Sequence, residues 1–338
     1  MTTTLQLTES RSLPLQPSAS LESLTELNKA LADSLRLQIL RVLKNESFGV
    51  LELCYILEIR QPALSHHLKI LAKSSLVSTR REGNSIFYRR AFLTEEDSHR
   101  DIKGSVLEHI DTLAIRSSST KRIKQIQIER SQLSLSFFNK NANKFREKQG
   151  LIVEHSDYAS PLHDVINGLG YSSEAVVLEV GPGEGQLLTE LADKYKNLIA
   201  LDNSSEMLEK SQRAIIEKKF KGVRFILGDT RIALEEKITA DIIIFNMVLH
   251  HIPSPAKTFK DSAALLAPGG HLLIIDLSRH DQDWVRESCG DLWLGFDEND
   301  LNRWAEQAGL ISGQNSYLGL RNGFQIQICI FKKIALSD

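Results

Sequence analysis

At 338 residues the chain is longer than one ordinary domain, so two or three are expected. Its 42% hydrophobic and 25% charged residues fit a soluble globular protein, and no apolar run is long enough to span a bilayer, which argues against a membrane partner. Three widely spaced cysteines, Cys54, Cys289 and Cys329, argue against a disulfide framework and fit a reducing cytoplasm. The net charge of −2 hides an asymmetry: residues 1–135 carry 19 Lys/Arg against 15 Asp/Glu, the remainder 22 against 28. Between Arg60 and Arg90 seven basic residues face one acid, Glu82, a candidate phosphate footprint.

In chain order, residues 1–20 are Ser/Thr/Leu-rich without an apolar core or cleavage site and read as a disordered tail. From Leu21 to Asn45 apolar residues fall at helical spacing, broken near Asp33-Ser34, where a second helix can be capped; Leu35, Ile39 and Leu43 form its stripe. Gly49 to Leu57 reads as a short apolar helix. The helix predicted over residues 61–74 has Pro62 in its first turn, where a missing N–H costs nothing. Leu64, Leu68 and Leu71 form its buried face. Gln61, Ser65, His66, Lys69 and Lys73 then give a polar, cationic surface suited to a major groove, and His67 falls nearer the packed side. Leu76–Thr79 and Ile86–Tyr88 flank the turn Gly83-Asn84, giving a hairpin with Arg80, Arg81 and Arg89 as candidates for backbone contacts. Residues 100–118 carry Ile102, Val106, Leu107, Ile110, Leu113 and Ala114 at helical spacing, and residues 117–132 read either as a continuing helix or as a linker.

Residues 27–92 resemble the ArsR family of winged-helix regulators: ALADSLRLQILRVL matches the opening helices, and QPALSHHLKIL with the basic hairpin matches the recognition helix and wing. The resemblance implies a homodimer on a palindromic operator of double-stranded DNA, usually a repressor released by a ligand. The family's metal-site patterns are broken here. ELCYIL keeps Cys54 but places Ile56 at the second thiol. Asp97, His99 and His109 are followed by Thr112 where a ligand belongs, with the histidine interval one residue short. No metal is expected.

After another helical region over residues 137–169, an apolar run at Ala175–Val180 ends in GPGEG, followed by a helix from Gln186: strand, glycine loop, helix. Strands are predicted at Leu198–Leu201, Val223–Leu227, Asp241–Phe245, Leu272–Ile275 and Gln325–Lys332, alternating with helices, a doubly wound α/β sheet. Asp202, ending the second strand, is placed to accept from a ribose's hydroxyls; Asp229, ending the third, is placed to meet an adenine amino group, the bland alternative for both being helix caps.

LEVGPGEGQLL, ALDNSSEMLEKSQ, LGDT and LLAPGGHLLIID together resemble class I S-adenosylmethionine (SAM)-dependent methyltransferases over roughly residues 137–333. That resemblance implies a Rossmann-like fold binding SAM or its product S-adenosylhomocysteine (SAH). Glu179, Gly181, Gly183 and Gly185 would serve the ligand's amino-acid part, Asp202 and Asn203 the ribose, Asp229 and Thr230 the adenine, and Asn246 with Met247 the methyl-donor side. His250, His251, Asp276 and His280 are candidates on the acceptor side. The expected organisation is a tail (1–20), a winged helix-turn-helix DNA-binding and dimerisation domain (21–116), a linker (117–136) and a methyltransferase-like domain (137–338). The whole resembles SAH-responsive regulators of methionine metabolism. It reads as a cytoplasmic regulator, nucleoid-associated when on DNA, the alternative being a working small-molecule methyltransferase with a regulatory head.

Overall fold

The computed structural model describes residues 20–141 and 145–335, so the expected tail lies, but for Ser20, outside the described residues. The chain divides into two compact units, residues 1–80 with 87–120 and residues 81–86 with 121–338.

In the first unit α1 (Leu21–Leu31) and α2 (Ser34–Val42) meet where the sequence breaks its helical pattern. Asp33 caps α2, its Oδ1 accepting from the Arg36 amide at 2.9 Å. Arg36, itself buried, donates from Nε and Nη2 to the carbonyls of Ala30 and Lys29, so one side chain satisfies the orphaned C-terminal carbonyls of α1. A short strand β1 (Phe48–Gly49) precedes α3 (Val50–Leu57), then α4 (Gln61–Lys73) with Pro62 in its first turn. Leu64, Leu68 and Leu71 are fully buried, as the spacing predicts. The hairpin is present as β2 (Val77–Glu82) and β3 (Ser85–Arg90), in a sheet ordered β1-β3-β2, with Gly83 at φ +63 supplying the left-handed turn residue. Arg90 ties the strand to the helices, donating to the Leu40 carbonyl and bidentately to Asp111 of α5 (Arg100–Thr112).

The helix predicted over 100–118 stops at Thr112. Leu113 turns extended, and a new helix, α6 (Ser117–Asn141), starts in a run of Ser and Thr, residues that favour helix starts over interiors. The segment left open between helix and linker is therefore helical, and residues 117–136 lie within it.

In the second unit α7 (Phe145–Gly150) and α8 (His155–Gly168) precede the sheet. Its parallel part comprises β4 (Val176–Val180), β5 (Asn197–Asp202), β6 (Val223–Leu227), β7 (Ala240–Asn246) and β8 (Leu266–Leu277). Helices α9 (Gln186–Ala192), α10 (Ser205–Glu217), α11 (Thr230–Glu235) and α12 (Pro255–Leu265) connect them, and α13 (Trp284–Ser288) and α14 (Glu298–Gln307) follow. Two antiparallel strands, β9 (Leu310–Gly319) and β10 (Gln325–Lys333), complete the order β6-β5-β4-β7-β8-β10-β9. Ile242, Ile243, Ile244 and Phe245 are wholly buried in succession, because a parallel strand covered on both faces reads as a continuous apolar run. The strand order reverses between β4 and β7, so their carboxyl ends open the crevice where such sheets bind ligands. Among the described residues no helix is long and apolar enough to cross a membrane.

Candidate functional site

On α4, Gln61, Ser65, His66, Lys69 and Lys73 are all exposed; His66, Lys69 and Lys73 lie opposite the leucines, Ser65 flanks them, and Gln61 stands at the helix start. Lys73 reaches Glu26 of α1, and Lys69 is exposed on this face. His67 lies half-buried with Nδ1 3.6 Å from Asp33, as expected of a packed histidine. In the hairpin Arg81 is exposed and its Nε donates to the Gly83 carbonyl. Arg80 and Arg89 are buried, Arg89 donating to Ser78 and stacking over Phe92. The α4 candidates and Arg81 are thus exposed, whereas Arg80 and Arg89 are buried.

In the second unit a cavity of about 590 Å³ opens at the carboxyl ends of β4, β5, β6 and β7, within the size range of small-molecule sites. Gly181, Gly183, Asp202, Asn203, Asp229, Thr230, Asn246 and Met247 line it, eight of the ten residues predicted for the ligand. Glycine is required at the loop: Gly181 sits at φ +69, and a Cβ there would stand 2.3 Å from the Val248 Cγ2. Gly185, at φ +84, is the N-cap of α9 and does not line the cavity.

Asp202, at the tip of β5, accepts from the Ser204 amide at 2.8 Å, and burial raises its carboxyl to about 6. Asp229 realises the helix-cap alternative as well as lining the cavity: its Oδ1 accepts from the Arg231 and Ile232 amides at the start of α11. Thr230 donates to the buried Asp261 at 2.7 Å, which fixes the wall beside it. Asn246 accepts from the buried Tyr158 hydroxyl at 3.0 Å. Glu179 does not line the cavity. It is wholly buried beneath the loop, and desolvation, with Glu190 and Asp202 nearby, pushes it up to about 8.

Helix α6 was not foreseen as part of the site. Lys124, Gln127, Ile128, Ser131, Ser134 and Phe138 form a wall of the cavity, and Arg130 stacks over Trp293. The only trace in the sequence is a few apolar residues spaced along a polar segment.

The acceptor-side candidates separate. His251 lines the cavity, its ring edge-on to Phe138 at 4.7 Å. His250 and Asp276 sit deeper, bonded Nδ1 to Oδ1 at 2.7 Å, and neither is on the cavity wall. Burial alone would lower His250, but the carboxylates of Asp276 and Asp291 outweigh it and raise it to about 9. Burial, then the neighbouring His250, hold His251 well below the usual imidazole range, hence neutral. His280 lies elsewhere, its Nδ1 accepting from the Gln282 amide and its ring against Phe324.

Residues 33–79 match the model of bacterial regulatory proteins of the arsR family, and residues 152–313 match a methyltransferase-domain model. The chain joins an arsR-family helix-turn-helix to a methyltransferase domain. The ubiquinone biosynthesis O-methyltransferase of Coxiella burnetii is 28% identical over 167 residues, covering 44% of this chain and 70% of that protein. A polyketide synthase-nonribosomal peptide synthetase of Aspergillus clavatus is 28% identical over 162 residues, 43% of this chain but 4% of its own length. Magnesium protoporphyrin IX methyltransferase of Synechocystis PCC 6803, solved with bound SAH, superposes with a TM-score of 0.50 at 16% identity, covering 60% of this chain and 99% of that one; the likeness is one of fold. The two matches point to DNA-binding regulation through the helix-turn-helix domain and to SAM or SAH binding in the methyltransferase domain.

Proposed function

We propose that the protein is a transcriptional repressor, acting as a homodimer on a palindromic operator, whose methyltransferase domain senses SAM or SAH and adjusts DNA affinity for methionine and methyl-cycle genes. The observation that carries this reading is helix α6. It begins in the first unit, where Ser119 Oγ donates to the Ile56 carbonyl, and its later residues form a wall of the ligand cavity. A ligand that binds the cavity differently in two states of this helix has a covalent route to the DNA-binding domain, which is what linkage requires. SAM and SAH differ by one methyl and one positive charge, enough for a cavity to tell them apart. Such a regulator works in the cytoplasm, on the nucleoid when DNA-bound.

The test is fluorescence anisotropy of the full chain on a duplex it has itself selected from a random library, with SAM or SAH added separately. The proposal expects one ligand to shift the DNA affinity by at least about fivefold, the lower end of ordinary coupling energies, and the other to shift it less. Equal affinity under both ligands and without either would remove the sensor reading. It would favour the second reading, a working methyltransferase, for which the neutral His251 on the cavity wall is the supporting observation; its mark would be a methylated small molecule.

A further inference from the structure

Beneath the ligand cavity, two histidines and a carboxylate converge on a second, smaller space. We propose that His250, His251 and Asp291 bind a single divalent cation of the zinc type. Each offers one ligand atom, these atoms all lie within 4.8 Å of one another, and all three residues are buried. Asp291 is 2% exposed, and neither of its carboxylate oxygens accepts a hydrogen bond. A buried carboxylate in that condition is costly unless a cation stands beside it.

The histidines are arranged as ligands. His250 Nδ1 is held by Asp276 at 2.7 Å, and Asp276 is fixed in turn by the Leu277 amide at 2.7 Å. This leaves Nε2 directed at Asp291, 3.9 Å away, and a carboxylate behind a histidine is how metal sites set the tautomer and orientation of a ligating imidazole. His251 Nδ1 lies 4.0 Å from the same oxygen; it is also 3.2 Å from the Gly290 carbonyl, a contact it gives up on taking a cation. Ligand atoms around a tetrahedral zinc sit roughly 3.4 Å apart given bonds of about 2.0–2.1 Å, so the two distances to Asp291 close by about half an ångström and no pair of the set by more than about 1.4 Å. The space between them, about 20 Å³, also bounded by Cys289 and Met247, suits one ion with little water. Two imidazoles and one carboxylate select a borderline d-block ion over magnesium or calcium, which prefer all-oxygen sets. Because His251 and Met247 line both spaces, the cation would border the ligand cavity, whichever function that cavity serves.

The competing account is that cations already present, the His250 imidazolium with the Arg286 guanidinium, neutralise Asp291. The experiment uses the untagged full chain, stripped with a chelator and titrated with Zn²⁺ against a fluorescent zinc chelator, with metal content after desalting read by mass spectrometry. The proposal expects about one zinc per chain, weakened at least tenfold in Asp291→Asn and in His251→Ala, and retained in the helix-turn-helix variants Cys54→Ser and His109→Ala. Far-ultraviolet circular dichroism establishes that each variant is folded. Co²⁺ in place of Zn²⁺ gives a second readout, d–d absorption of a four-coordinate site that Asp291→Asn abolishes. No stoichiometric zinc in the wild-type chain, or zinc lost from the Cys54 or His109 variant instead, overturns the proposal.

Discussion

Replacing Glu179 by Gln isolates the electrostatic cost of the floor beneath the glycine loop. Glu179 ends at about 8 in the folded chain against an ordinary 4.5. Between those values the folded state keeps a proton that the unfolded chain has released, so stability is fully present below pH 4.5 and falls as pH rises towards 8. At 1.36 kcal/mol per pH unit, the loss between pH 4.5 and pH 7 from this one group is about 3 kcal/mol. Gln has nearly the same shape and does not titrate, so the Glu179→Gln variant lacks this slope. The assay is urea unfolding followed by tryptophan fluorescence at a series of pH values; Trp284, Trp293 and Trp304 are the chain's three tryptophans and all belong to the second unit, so the signal reports that unit alone. The expected result is a variant whose stability relative to wild type improves by about 3 kcal/mol from pH 4.5 to pH 7. Parallel pH curves for the two proteins would refute the burial argument.

Gly181→Ala combines a left-handed backbone with a clash against Val248, together roughly 2–5 kcal/mol, and should weaken SAH binding by tenfold or more in calorimetry. Gly269→Ala, at φ +78 with open space around its Cβ, is the control that carries backbone strain alone and leaves SAH affinity unchanged. Burial raises Asp202 to about 6, so its carboxylate, the form that would accept from a ribose in the proposed reading, predominates above that pH. SAH affinity should therefore hold above pH 7 and decline below pH 6, whereas Asp202→Asn binds roughly 10- to 100-fold more weakly and without that decline. Lys69→Ala should weaken operator binding and lower the slope of log affinity against log salt by about 1; an unchanged slope would remove α4 from the phosphate contacts.

The features legible in the sequence were those with strong local grammar. Leu64, Leu68 and Leu71 on one side of α4, Asp33 as a cap and the apolar runs of β4 and β7 were all readable, because periodicity and capping depend on neighbours in the chain. Strand β9 was not foreseen. It lies at the sheet edge, is mostly exposed and carries Gly313 and a polar middle, so burial left no alternating pattern. Asp291 escaped for a different reason: it meets His250 across 41 residues through a turn at Gly290, where a Cβ would stand 2.4 Å from the Phe137 ring. Tertiary packing makes that juxtaposition, and no local spacing announces it. Helix α6 lay between the two, recognisable as polar with a few isoleucines but silent on which face would meet the cavity. The buried positions of Arg80 and Arg89 show the limit of reading a basic cluster from composition: arginines at strand ends serve packing as readily as phosphates.

The central claim is that cavity and operator are linked, and linkage is reciprocal. The most direct measurement is calorimetric titration of SAH, and separately SAM, into the full chain alone and into the chain saturated with its selected duplex. The account predicts that the duplex changes the Kd of the effective ligand by the same factor by which that ligand changes the Kd of the duplex. Ligand affinities identical with and without DNA would contradict it.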